Sequence, residues 1–386
     1  GDISIRDIQF PGGESPLNGE EITVDGIVGF IGPNGYAICD EGGGEWSGVY
    51  VYDTWHRPHY GDHIEVTATV DEYYDMTELT GVADMSVLGR GYGIPVTTCS
   101  MSQAQTEAYE GVLVHIAGVD VTDDNVGGAG YVWQVGDGVT TLNVDDECPY
   151  RYIWQEGQSL EAIRGLMAYS FSERRLWPRY DDDLIGRPVM EYALKGCVIT
   201  PDGPRSNWYV QVWDDDIVAV TDAAPTGVSV VDTDGIIFPG LIDAHNHPAY
   251  NSFPTLAFNA FPFGHRDQWG NDDPEYDDWK SKRSSVRTAV NDSTTARVSK
   301  WAEILELMAG CIAIQGNYSG REYAYPGVIL YNVEQFPSRM GTDIFPWTMS
   351  ASERSDFLAR VDGGRYNACL FHLSEGPDNT SLQQFY

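Results

Sequence analysis

The sequence predicts a multidomain mosaic: two small all-β barrels in tandem, then a β-rich lead-in to a parallel α/β segment. Three observations predict it. The first half is dense in glycine and built of short alternating strands. Its pattern recurs after about 90 residues, too long for a solenoid repeat and suited to two copies of one domain. The second half instead alternates helical runs with continuous apolar strands, the mark of a parallel α/β arrangement. A chain of 386 residues suits two or three domains, and 42% hydrophobic residues supply apolar surface for more than one core.

Residues 1–97 make the first unit. ITVDGIVGFI (22–31), GYAICDE (35–41) and SGVYVYD (47–53) alternate apolar and polar residues between the turn signals PNG and EGGGEW. HIEVTATVDEYYDMTELT (63–80) completes a five-strand set. Five strands at this spacing predict a closed Greek-key barrel, because a sandwich usually needs about seven. The order resembles the OB-fold of domains found beside secreted nucleases and other extracellular enzymes, on residues 3–96 and on GGGEWSGVYVYD (42–53) in particular.

Residues 98–187 make the second unit. EAYEGVLVHIAGVDVT (107–122), GYVWQVGDGVTTLNVDD (130–146) and GQSLEAIRGLMAYSFSERRLWPR (157–179) match the first unit's strands in order and character. YDDDLIGRP (180–188) is expected to be an acidic, solvated linker. Neither DDD run (181–183, 214–216) has the spacing of a calcium loop.

Charge limits the partners. Asp and Glu number 58 against 23 Lys and Arg, a formal charge of −35. Such a field repels nucleic-acid phosphate and anionic membranes, so neither is expected as a partner. OB-folds that hold single strands pair aromatics with a basic groove. Trp46, Trp55, Tyr73, Tyr74 and Trp133 are present here but the groove is not. The barrels therefore read as spacer or docking units, in a chain suited to an extracellular or periplasmic setting. No run reaches the roughly 18–20 apolar residues of a membrane span. GDISIRDIQF reads as a strand rather than a signal peptide, so residue 1 is expected to begin a processed chain. Six cysteines show no CxxC; Cys99 and Cys148 flank the second unit and are expected to pair only in an oxidising compartment. His56, His59 and His63 in WHRPHYGDH lie on a Pro/Gly turn and read as a polar loop rather than a ligand set.

Residues 188–386 carry the chemistry. EYALKGCVITP (191–201), WYVQVWDDDIVAVT (208–221) and GVSVVDTDG (227–235) lead into IIFPGLIDAHNHP (236–248). A polar, aromatic insertion follows at 261–285. VSKWAEILELMAG (298–310) then feeds the strand CIAIQG (311–316), PGVILYNVE (326–334) is a further strand, and ASERSDFLARV (351–361) feeds YNACLFHLSEG (366–376). Because side chains alternate along a strand, His245 and His247 point to one side and Asn246 to the other. Two imidazoles at the C-terminal end of a parallel strand make half of a zinc or iron site.

DTDGIIFPGLIDAHNHP (232–248) resembles the first barrel strand of the amidohydrolase superfamily, and HLSEG (372–376) resembles the H-x-x-E strand end of its deaminase-like branch. The resemblance covers about residues 190–386. It implies a small β-sandwich from 191–235 leading into an incomplete (β/α)8 barrel, roughly its strands one to five. It implies His245, His247 and His372 as ligands of a divalent metal, zinc first and iron second, and Glu375 as proton shuttle. The implied activity is hydrolysis of a C–N bond in a small-molecule substrate, by deamination or by opening a cyclic amide. Position favours Tyr250, His265, Gln315 and Asn317 as substrate contacts, with Arg266 and Trp269 beside them. A full barrel takes about 250 residues, so a companion polypeptide carrying the rest is expected. The rival reading is a non-catalytic binding or structural protein with a degenerate barrel.

Overall fold

Alternation in the first unit becomes five strands of a closed barrel. The computed structural model describes residues 3–128, 132–145, 147–148, 150, 154–246, 274–289, 296–316, 330–332, 340–344, 346, 348–373 and 379–383. In it β1 (Glu21–Ile31), β2 (Gly35–Cys39), β3 (Gly48–Tyr52), β4 (His63–Tyr73) and β5 (Met76–Gly89) close in the order β1-β2-β3-β5-β4. Inward residues such as Ile22, Val24, Ile64 and Val66 are buried while their neighbours face out. Helix α1 (Ile5–Gln9), started by a Ser4–Asp7 capping box, adds Ile5 and Ile8 to this core.

The second unit repeats the topology. After β6 (Thr97–Thr98) and α2 (Met101–Ala104) come β7 (Leu113–Asp123), β8 (Val132–Gly136), β9 (Thr141–Asp145), β10 (Ser159–Ser170) and β11 (Glu173–Trp177). Antiparallel pairs join β7 to β8, β8 to β9, β10 to β11 and β10 to β7. The pair β9–β11 is parallel, as β3–β5 is in the first unit. Even the hairpin turn recurs: Tyr74 and Asp75 have φ of 51° and 67°, Phe171 and Ser172 φ of 52° and 62°. Two successive left-handed residues are what a two-residue turn between right-twisted strands requires.

The barrels share a core of their own. Trp177 of β11 lies against Phe30 and Tyr50 of the first barrel, at ring separations of 5.9 and 6.0 Å. Segment 180–188 is not the solvated linker expected. Asp183 is wholly buried and takes two bonds from the Arg179 guanidinium, at 2.8 and 2.7 Å, and β12 (Leu184–Ile185) pairs with β10. Asp214 of the other acidic run is paired with Arg187. All six cysteines are free, Cys99 and Cys148 included, both buried.

The lead-in forms one sheet rather than the expected sandwich. β13 (Glu191–Thr200), β14 (Gly203–Trp213), β15 (Asp216–Thr221) and β16 (Ser229–Ile237) run in the order β15-β14-β13-β16, with β13 and β16 parallel. Among the described residues no second sheet covers it, and Ile217, Val218, Val230 and Val231 stay exposed. Beyond it come β17 (Leu241–Asn246), α3 (Pro274–Ala289), α4 (Ala296–Met308), β18 (Cys311–Gly316), β19 (Tyr331–Asn332), β20 (Met340–Ile344), α5 (Ala351–Asp362), β21 (Ala368–Phe371) and α6 (Asn379–Gln383). β17, β18 and β19 form a parallel sheet, and β20 pairs in parallel with β21. The described strands do not close into a complete α/β barrel. Helix α3 begins inside the polar, aromatic insertion at 261–285, where the sequence predicted no helix, and runs four residues beyond it. No described helix is long and apolar enough to cross a membrane.

The first barrel grips the turn between α5 and β21. His56 bridges to Gly364, Arg57 N–H donates to the Gly363 carbonyl at 3.2 Å, and Arg365 donates to the Pro33 carbonyl at 3.0 Å. The Arg360 guanidinium sits 5.1 Å from the Trp55 ring centre. Asp53 organises this loop, accepting from the Trp55 and His56 N–H groups and lying 2.8 Å from His56 Nδ1. Burial pushes the Asp53 carboxyl up, but these donors outweigh it and hold it below its usual 3.8. The bond to Asp53 raises His56 above its usual 6.5, against burial, with Asp84 adding to the rise. A raised histidine stabilises fully below 6.5 and loses its contribution as pH climbs through the raised value. The lowered Asp53 contributes above 3.8 and fails only as pH falls through the depressed value. Amides of 363–366, corrected for intrinsic exchange, are therefore expected to be better protected near about pH 5.5 than near about pH 8. In Asp53→Asn that difference should vanish; equal protection at both pH values in the native chain would contradict the prediction.

Candidate metal centre

β17 ends where its apolar run meets polar residues, and its neighbours end beside it. Register pairs Asp243 with Ile314 and Asn246 with Gly316, so the C-terminal ends of β17 and β18 are level. His245 Nδ1 lies 2.8 Å from Gln315 Oε1, and Gln315 is only 5% exposed. His372, directly after β21, brings its ring to 5.6 Å from that of His245, edge to face at 69°. Two residues 127 positions apart in sequence (372 minus 245) thus meet at the strand ends.

The opposite face of β17 is clamped to helix α4. Asn246 is 4% exposed and donates from Nδ2 to Asp243 Oδ2 and to Glu306 Oε1, both at 2.9 Å. The His245 N–H donates to Asp243 Oδ1 at 3.1 Å, turning the strand end back on itself. Burial, then the nearby Glu306 and Asp243 carboxylates, raise the Cys311 thiol, which keeps it protonated and inert. Asn246 and Glu306 were not singled out by sequence, although alternation does place Asn246 away from His245. Asn332, 1% exposed at the end of β19 and level with Ile314, is a further buried polar residue that periodicity does not reveal.

Two of the three or four donors that a zinc site takes meet at this point among the described residues. Two imidazoles sharing a tetrahedral ion, with metal–nitrogen bonds near 2.0–2.1 Å, hold their ring centres about 5 Å apart. The observed 5.6 Å is close to that. An amide oxygen only accepts, so a neutral His245 ring bonded through Nδ1 to Gln315 Oε1, 2.8 Å away, would carry its proton on Nδ1 and its lone pair on Nε2. That is the form a metal-binding imidazole takes when its other nitrogen is held by a second-layer acceptor.

Of the expected site residues, His245, His372 and Gln315 are brought together. His247, Tyr250, His265, Asn317 and Glu375 lie outside the described residues, as do Arg266 and Trp269. Among the described residues no group of three His, Cys, Asp or Glu side chains converges as a metal cage. His56, His59 and His63 do not converge either: each sits against its own carboxylate, Asp53, Asp62 and Asp25 in turn.

No family model and no curated protein matches the sequence. Solved structures do match, distantly. One, described as "Structural mimicry for functional antagonism", is 12% identical and covers 42% of this chain and 89% of its own, with a TM-score of 0.25. The HINa domain of Ifi202 in complex with double-stranded DNA is 12% identical over 42% of this chain and 92% of its own, at 0.24. A murine DNA-binding protein bound to double-stranded DNA is 10% identical over 41% of this chain and 93% of its own, again at 0.24. At such scores the likeness carries no assignment.

These matches correct one expectation. The exclusion of nucleic acid rested on net charge and on the lack of a basic groove in the sequence, and structures solved with duplex DNA stand among the neighbours, so the exclusion is withdrawn. The physical fault lies in treating −35 as a local field. Exposed charges act over a Debye length of about 8 Å at physiological salt, so a whole-chain sum does not fix the potential at any one groove.

Proposed function

We propose that the chain is a metal-dependent hydrolase of the amidohydrolase type, cleaving a C–N bond in a small molecule. The observation that carries this reading is the meeting of His245 and His372 at parallel strand ends, with Gln315 holding His245. In this reading β17 to β21 belong to a (β/α)8 arrangement. His245, His247 and His372 hold a divalent metal, zinc before iron, and Glu375 moves the proton. When bound, the metal supplies Lewis acidity that activates water and polarises the scissile carbon's substituent. The chain's own groups do the rest. Gln315 fixes the His245 ring, Asn246 locks the strand end to α4, and Glu375 delivers a proton to the departing or ring nitrogen. Tyr250, His265 and Asn317 are the side chains assigned to substrate contact.

Zinc competition against a chromophoric chelator tests the site. One zinc per chain is expected, with His245→Ala and His372→Ala each weakening binding at least about 100-fold. Ammonia release from a panel of amino-heterocycles and cyclic amides tests the reaction. A chain that takes up no zinc would return the reading to a non-catalytic binding protein.

A further inference from the structure

We propose that Gln315 is a positioning residue that sets the tautomer and ring plane of His245, and not a substrate contact. The inference rests on the metal reading above and assigns a role within that site. Three observations carry it. Gln315 is 5% exposed, leaving little of its side chain for a ligand. Its Oε1 lies 2.8 Å from His245 Nδ1, a full hydrogen bond. The His245 ring also meets His372 edge to face, at 69° between planes, so an acceptor on one side and a ring on the other determine where the imidazole stands.

The chemistry follows from what an amide offers. Without a partner, a neutral imidazole populates both tautomers. An amide oxygen at Nδ1 accepts only from the N–H form, which leaves the lone pair on Nε2 for the metal. A neutral acceptor does this without adding a negative charge to a strand end where Asp243 and Glu306 already meet. Asn246 supports the same geometry from behind, by tying β17 to α4. Gln315 and Asn246 therefore act on opposite faces of one strand end, one on the ring and one on the backbone.

The experiment reads the ring nitrogens directly. Nitrogen-15 NMR on histidine-labelled full-length chain, without and with zinc, is compared for the native protein, Gln315→Met and Gln315→Glu. His245→Ala assigns the resonance. Native His245 is expected to be held as the Nδ1–H form. Gln315→Met removes the acceptor and is expected to give a tautomer mixture with zinc affinity about 10–100-fold weaker. Gln315→Glu keeps an acceptor and is expected to restore the tautomer, with affinity within about threefold of native. A substitution that merely loosened packing would not be rescued in this way. An unchanged His245 tautomer in Gln315→Met would overturn the proposal, as would a raised KM with unchanged tautomer and zinc affinity. Native protein that holds the Nδ1–H form yet takes no zinc would sink the metal reading while leaving the positioning role intact.

Discussion

Asp183→Ala is expected to cost about 3–5 kcal/mol of stability, measured by urea unfolding. The reason is the charge it leaves behind. Arg179 and Asp183 side chains are 3% and 0% exposed, and the guanidinium takes both carboxylate oxygens while a third N–H reaches the Gly29 carbonyl at 3.2 Å. Gly29 belongs to β1 of the first barrel and Arg179 follows β11 of the second, so the arginine is also a tie between barrels. Removing Asp183 leaves a buried cation with one carbonyl and the faces of Tyr180 and Tyr60, and no counter-charge bonded to it. Removing both partners is different: Arg179→Met with Asp183→Leu exchanges the pair for apolar contact and should recover most of the loss. Salt should change little of this, because a buried pair is poorly screened. A single-variant loss below about 1 kcal/mol would mean water reaches the guanidinium and the pair is not sealed.

That pair also marks where sequence reading stops. Strands of both barrels were legible because alternation at period two survives in ITVDGIVGFI and HIEVTATV, and the recurrence of the pattern announced a second copy. Barrel closure was legible only through strand count, since nothing in β3 or β5 declares that they pair in parallel. An Asp triplet reads as a solvated turn whether or not one member turns inward. The remaining signal was Arg179, four positions before Asp183, a spacing that marks a pair without saying that it is buried. Helix α3 was missed because PEYDDWKSKRSSVRTA carries no apolar stripe to reveal a helical period. The sandwich was expected by resemblance, and a single sheet stands there instead. At the candidate centre, alternation placed His245 on one side of the strand and Asn246 on the other. The role of Gln315 was hidden, because a polar residue at a strand end looks the same whether it faces a ligand or a neighbouring imidazole.

Gly48→Ala is expected to be as damaging as the loss of Asp183, by a purely steric route. Gly48 begins β3, and a methyl group added there would collide with the carbonyl of Gly111, two residues before the second barrel's first long strand. The approach is mutual: a Cβ on Gly111 would stand 2.7 Å from the Gly48 oxygen, and Gly111 holds φ of 71°, where a side chain is strained in any case. Both backbones are already committed. The Gly48 carbonyl accepts from Gln9 Nε2 at 2.9 Å and the Gly111 N–H donates to Met167 at 2.8 Å, so neither chain can retreat without losing a bond. The only relief is to part the barrels, which opens the shared core around Phe30, Tyr50 and Trp177. Parting them by even a fraction of an ångström forfeits close packing, and about 3 kcal/mol or more is the expected cost. Gly42→Ala is the matched control, since open space surrounds that position and its backbone lies outside the left-handed region; it should fall within about 0.5 kcal/mol of native. Denaturation followed by tryptophan fluorescence, with Trp177 as the interface reporter, separates the outcomes. If Gly48→Ala unfolds like the control, the two barrels are hinged neighbours. If it unfolds early, with Trp177 exposed before the barrel cores melt, they are one rigid unit whose fit depends on two absent side chains.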